Sequence, residues 1–197
     1  MRAHLDTFAA IARHSKEYQG HGWGCAWLEA GKWRIYRNIV PIWEDQEAPR
    51  ERTTLMLAHA RSAFRNEGIS VENNMPFGDG KYMFGFNGEL HGVRIREQGR
   101  IGAEKVFNYI KRFDKGDMLD ALRRALGIIE QRSRYVRAMN IVIAGTHQAW
   151  ISSKYNEDPD YFQMHRYQSD DMHILCSEAY PGGHDWLPVP NGTVESF

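Results

Sequence analysis

Tyr82-Met83-Phe84-Gly85-Phe86-Asn87-Gly88-Glu89-Leu90 joins an aromatic, apolar run to an Asn-Gly pair. Bulky apolar residues over 82–86 predict a short strand. Asn-Gly is a strong turn signal, so residues 90–95 are expected to pair back as the second arm of a hairpin. Towards the N-terminus lies a polar loop containing Asn73-Asn74-Met75-Pro76-Phe77-Gly78. Before it, residues 55–61 form a dense apolar run ending in His59-Ala60-Arg61, expected as a buried strand. Further back, residues 23–28 and 33–37 read as two strands joined by a turn at Glu29-Ala30-Gly31-Lys32. Leu5, Phe8, Ile11 and Ala12 recur at helical spacing, which predicts an amphipathic helix over 4–18, broken by Gln19-Gly20-His21-Gly22.

On the C-terminal side the period changes. Ala103, Val106, Phe107, Ile110 and Phe113 follow helix spacing, and so do Leu119, Leu122, Leu126 and Ile129. Lys115-Gly116 joins these two helices, and Asp117 is placed to cap the second. Strand patterns return over 140–144, 149–152, 161–167, 173–176, 186–189 and 193–197. Strands, then two helices, then strands imply two sheets with helices outside them, an α+β arrangement.

The chain has 197 residues, enough for one domain with a substantial core, and 1–197 is expected to form a single domain. Lys plus Arg and Asp plus Glu are 25 each, and the two signs are interleaved, so no nucleic-acid partner is expected. No run approaches the roughly 18 apolar residues of a membrane helix, so no membrane partner is expected either. Arg2, Asp6, Arg13, Lys16 and Glu17 break up any signal-peptide core, which predicts a cytoplasmic protein. Cys25 and Cys176 are the only cysteines and sit in apolar runs, as buried reduced thiols do. The nine histidines include no metal-binding spacing, and no Gly-rich phosphate loop is present; neither metal nor cofactor is expected.

Four segments taken in order carry more than their patterns: His21-Gly22-Trp23-Gly24, His59-Ala60-Arg61, the stretch 73–77, and Phe86-Asn87-Gly88-Glu89-Leu90. Together they resemble the signature blocks of class II, N-terminal-nucleophile (Ntn) glutamine amidotransferases. Cys176-Ser177-Glu178, Trp186 and Pro190-Asn191-Gly192 are similar to that family's closing segment. The resemblance runs from about residue 21 to the C-terminus. It implies a four-layer αββα sandwich of the Ntn-hydrolase type and a glutamine amidotransferase type 2-like domain. It also implies hydrolysis of the glutamine side-chain amide to glutamate and ammonia by an N-terminal cysteine whose α-amine acts as base. Ammonia would pass to a separate synthase. By the same resemblance Arg61 would hold the substrate α-carboxylate through its planar fork. Asn87 and the N–H of Gly88 would form the oxyanion hole, with Asn87-Gly88 also serving as a turn. Trp23 is expected to pack beside the site, with any ligand contact secondary, and His59 to be a hydrogen-bonded core histidine.

The chain departs from this pattern at several places. It reads Met1-Arg2-Ala3 at its start, so no cysteine nucleophile is among its first residues, and the helix begins where the family has a nucleophile-bearing first strand. Cys25 lies inside a strand and has no α-amine of its own to activate it. Gly102 stands where an acidic residue commonly holds the substrate amino group, and Glu104 lies about 200° further round a helix. Phe64 replaces a small polar residue, which points to a more apolar pocket. Three readings stay open: an amidotransferase whose native N-terminus supplies cysteine, an amide hydrolase acting on a γ-glutamyl conjugate, and an inactive ligand-binding or regulatory module of the same fold.

Overall fold

The computed structural model describes residues 1–182 and 185–197. The chain divides into two compact units, residues 1–85 with 143–148, and residues 86–142 with 149–197.

In the first unit, α1 (Arg2–His14) precedes the strands β1 (Trp23–Glu29), β2 (Lys32–Asn38) and β3 (Met56–Ala60). The strands pair antiparallel in the order β2–β1–β3. The β1–β2 link is a two-residue turn in which Ala30 and Gly31 both have positive φ, 49° and 74°. That conformation matches the twist of the flanking strands and fixes the register Glu29↔Lys32. Side chains alternate across β1. Trp23, Cys25 and Trp27 pack in one cluster with Leu5, Ala12 and Ile42, so α1 covers that face of the sheet. Ala26, on the other face, packs against Met83 and Ala144. Truncating a buried indole such as Trp23 costs about 3–5 kcal/mol, so this cluster fixes where β1 lies.

The helix is shorter than the predicted 4–18. Past His14 the chain turns extended at Ser15, and Tyr18 is exposed, so nothing apolar remains to bury beyond Ala12. The strand over 55–61 appears as β3, but it is the edge of its sheet and only half-buried. After it, β4 (Phe77–Gly78) pairs with β5 (Met83–His91) through Phe77↔Phe84 and Gly78↔Met83.

The expected turn at Asn87-Gly88 is not there. β5 runs unbroken from Met83 to His91, and no strand follows over 92–95. The pair sits in mid-strand because β5 is held by a long neighbour, β6 (Tyr135–Ala144), rather than by a second hairpin arm.

In the second unit, β5 and β6 are followed in sheet order by β7 (Ala149–Ser152) and β11 (Val194–Ser196). The helices α2 (Gly102–Lys111) and α3 (Met118–Arg132) occupy the places read from the sequence. Asp117 caps α3 by accepting the Asp120 N–H at 3.0 Å. Met118, Ala121, Leu122, Ala125, Leu126 and Ile129 give α3 its buried stripe. The predicted strand over 161–167 is instead a short helix, α4 (Pro159–Phe162), followed by β8 (His165–Gln168). Proline at the first helical position presets φ for a helical turn, and this outweighs the aromatic residues. β8 pairs with β9 (His173–Cys176) and β10 (Leu187–Pro188), in the order β10–β8–β9. Among the described residues no helix is long and apolar enough to cross a membrane.

Candidate functional site

Arg61 follows β3 directly and is bridged in parallel to Gly20. Its N–H donates to the carbonyl of Gly22 at 2.9 Å, and its carbonyl accepts the His21 N–H at 3.0 Å. The side chain is 6% exposed. A buried guanidinium must find acceptors, since an unsatisfied charge is costly. It finds two carbonyls of the following loop: Nη1 donates to Gly68 at 2.9 Å and Nη2 to Glu67 at 3.4 Å. Burial lowers its pKa, yet an arginine remains protonated. Among the described residues, these partners are neutral backbone carbonyl oxygens.

The glycines of His21-Gly22-Trp23-Gly24 have physical causes. Gly22 has φ 104°, and a Cβ there would meet the Asn74 side-chain nitrogen at 2.2 Å and the Asn38 carbonyl at 2.7 Å. At Gly24 a Cβ would come within 2.6 Å of the Met75 carbonyl. The two glycines therefore let the stretch 73–77 lie directly against the start of β1. Asn74 is fully buried and donates to the Asn38 carbonyl at 2.8 Å, while Asn73 donates to the same Gly68 carbonyl that Arg61 uses, at 2.9 Å. Arg37 adds a bond from Nε to the Pro76 carbonyl at 3.1 Å, and the Met75–Pro76 peptide is cis.

Trp23 is wholly buried, and its indole N–H donates to Asp45 Oδ2 at 2.8 Å. The same oxygen accepts from the Tyr36 hydroxyl at 2.8 Å and from Asn38 at 3.0 Å. Burial, with the bond to Asp45, pushes the Tyr36 phenol up to about 12. Trp23 is thus a core residue with its polar end tied down. Asp45 was invisible in the sequence, because it follows a single 3-10 turn with no periodic pattern. His59 lies on β3 opposite Gly24, half-buried.

In the second unit, Asn87 and Gly88 lie within β5, both half-buried. A Cβ on Gly88 would be 2.2 Å from the carbonyl oxygen of Ala138 on β6. Glycine is required here for close approach of two strands, not for a turn. Next to this contact, Arg137 binds Glu89 at 3.2 Å and Asp158 at 2.7 Å, and His91 pairs with Glu89 at 2.7 Å.

Cys25 is wholly buried, and burial drives its thiol up to about 12. Cys176 reaches about 12 for the same reason. Neither is a thiolate near neutrality. Gly102 opens α2 with empty space around it. Glu104 is engaged by Arg100, accepting its Nε at 2.9 Å and its backbone N–H at 2.6 Å, so it braces the helix start. Phe64 is 57% exposed, with the Arg65 guanidinium 5.1 Å over its ring. Among the described residues no group of His, Cys, Asp or Glu is arranged to hold a metal ion.

No protein-family model and no curated protein matches the sequence. Solved structures do match the fold. A glutamine aminotransferase class-II domain protein from Silicibacter pomeroyi is similar with a TM-score of 0.67 and 19% identity, covering 88% of this chain and 86% of that one. A predicted glutamine amidotransferase from Pseudomonas aeruginosa gives a TM-score of 0.60 at 15% identity, covering 89% and 84%. The glutamine phosphoribosylpyrophosphate amidotransferase of B. subtilis, solved with ADP and GMP, gives 0.63 at 15% identity; 88% of this chain corresponds to 39% of that longer one. In the course of its backbone this chain therefore has the fold of the class II glutamine amidotransferase domains.

Proposed function

We propose that residues 1–197 act as a single amidotransferase-type domain that binds glutamine or a γ-glutamyl amide and, where an N-terminal cysteine is present, hydrolyses it to glutamate and ammonia. The observation that carries this reading is Arg61, a buried arginine at the end of β3 in a fold shared with glutamine amidotransferase domains. A carboxylate in place of two neutral carbonyls would meet the same donors with a full opposing charge, and such bonds are roughly twice as strong. Asn87 and the Gly88 N–H would face the developing oxyanion, where loss of one donor typically costs about 3 kcal/mol of transition-state stabilisation. Ammonia would leave for a separate synthase.

The test is direct. A chain with a verified N-terminal cysteine is offered glutamine and larger γ-glutamyl amides, and glutamate and ammonia are measured. Release from either class supports the reading; the relative rates assign the substrate, since Glu104 is occupied by Arg100 and Gly102 offers no carboxylate for a free α-amine. No release from any of them sinks it.

A second reading, an inactive ligand-binding or regulatory module, is favoured by the two cysteine thiols at about 12. Calorimetry with glutamine and glutamate addresses it: no binding to either, in any condition, removes it.

A further inference from the structure

We propose that His21 is a positioning residue for Arg61, its backbone N–H and its ring Nδ1 together clamping the chain at the Arg61 carbonyl and at the Ala63 N–H that follows it. The proposal rests on the reading of Arg61 as the group that meets a ligand carboxylate. The clamp has two jaws. The His21 N–H donates to the Arg61 carbonyl at 3.0 Å, and the Ala63 N–H donates to His21 Nδ1 at 2.9 Å. A third bond, from the Arg61 N–H to the Gly22 carbonyl at 2.9 Å, closes the bracket. Residues 61 and 63 are thereby held while the chain leaves β3 and begins the loop whose carbonyls receive the guanidinium. Arg65, Asn66 and Gly68 in that loop all have positive φ, and a single 3-10 turn over Phe64–Asn66 is its regular structure, so the loop depends on where Ala63 is held.

The ring can do this in one protonation state only. Nδ1 accepts, so the neutral ring carries its proton on Nε2. A proton on Nδ1 would set two donors face to face and would add a positive charge beside Arg61. Among the described residues, the Tyr18 phenol ring meets the His21 ring edge-on with centroids 5.0 Å apart, and the Arg61 charge acts on it. Burial first, and the Arg61 charge second, lower the His21 pKa below its ordinary 6.5. The sign follows. Below about pH 6.5 the unfolded or unclamped chain takes up a proton that the clamped ring refuses. The clamp is intact above that pH and weakens as pH falls towards the lowered folded value.

The experiment compares wild type, His21→Asn and His21→Ala across pH 5 to 7.5. Asparagine can offer Oδ1 where Nδ1 stood, and it does not titrate. Three readouts are taken: the His21 ring nitrogen shifts, the exchange protection of the Ala63 amide, and calorimetric affinity for L-glutamine. The expected result is Nδ1 unprotonated at neutral pH, with Ala63 protection falling between about twofold and tenfold on acidification. In His21→Asn that protection is retained and the acid loss disappears. In His21→Ala it is lost at every pH. L-Glutamine affinity follows the same three patterns. Protonated Nδ1 at neutral pH, or an acid loss that persists unchanged in His21→Asn, overturns the proposal. Should L-glutamine bind none of the proteins at any pH, the functional reading of Arg61 falls. The first two readouts then still decide whether the clamp exists.

Discussion

Replacing Gly88 by alanine puts one methyl group into the tightest backbone contact near the proposed oxyanion strand. The added Cβ would be 2.2 Å from the Ala138 carbonyl oxygen and 2.6 Å from its carbon. Real Cβ atoms essentially never come closer than 3.0 Å, so the strands must part by at least about 0.8 Å. Both atoms that must give are backbone, and no rotamer change relieves them. A ladder bond of about 2.9 Å stretched that far reaches about 3.7 Å and is lost. One or two such bonds at about 1 kcal/mol each, added to about 1–3 kcal/mol for overpacking, give a loss of roughly 2–5 kcal/mol. Gly102→Ala is the matched control. It opens α2 with nothing within 4 Å of its would-be Cβ, and alanine there should be neutral or stabilising by up to about 1 kcal/mol. Urea unfolding of the three proteins makes the comparison. If Gly88→Ala shifts the midpoint no more than Gly102→Ala does, with an unchanged slope, the close approach of β5 to β6 is not as described.

Three further outcomes follow from named contacts. At pH 8 a thiol at about 12 is ionised about one part in ten thousand, so neither Cys25 nor Cys176 should react with a thiol reagent in the native protein. Both should react at once after unfolding; rapid native labelling would contradict the full burial of Cys25 and the raised thiol pKa of the half-buried Cys176. Asp45→Ala removes the acceptor of a fully buried indole and should destabilise by about 2–3 kcal/mol, with a change in tryptophan fluorescence. Wild-type stability in that variant would show that Trp23 does not depend on Asp45. Asp117→Ala should cost about 1 kcal/mol in thermal or urea melts through loss of the α3 cap, and no loss would mean the cap is frayed in solution.

The sequence was most readable where one local rule acted alone. α3 has a side-chain cap, a continuous apolar stripe and a glycine-bearing joint before it, and its position was legible from those. The β1–β2 hairpin was legible because only two residues separate its arms. Asn87-Gly88 misled because a pair that ends a strand in isolation is overridden when a ten-residue neighbour, β6, supplies partners on through it. The glycine was informative, but about the distance between strands and not about chain reversal. Tyr161 misled for a related reason. Its aromatic neighbours fit a strand, while Pro159 had already set a helical turn. Asn87 and Gly88 in the second unit, and Arg61 and Trp23 in the first, could each be named from a short block of sequence. What holds them could not be named, because Asp45, His21 Nδ1 and the carbonyls of Glu67 and Gly68 act through contacts with no sequence period.

Those carbonyls bear on how the site would work. A guanidinium buried to 6% exposure needs acceptors whether or not a ligand is present. Glu67 and Gly68 supply them from the protein itself, and Asn73 shares the Gly68 oxygen. A ligand carboxylate drawing on the same donors would compete with neutral oxygens, not with water. Its gain is the difference between a charge-assisted bond and an amide carbonyl bond, less the cost of any carbonyl it displaces. The 3.4 Å contact to Glu67 is the weaker of the two and would yield first, leaving the 2.9 Å bond to Gly68 as the fixed point about which the guanidinium keeps its plane. Under the proposed reading, Arg61→Lys would therefore weaken L-glutamine binding more than loss of one hydrogen bond implies. An ammonium has no plane to present, and it would have to choose between the loop and the ligand.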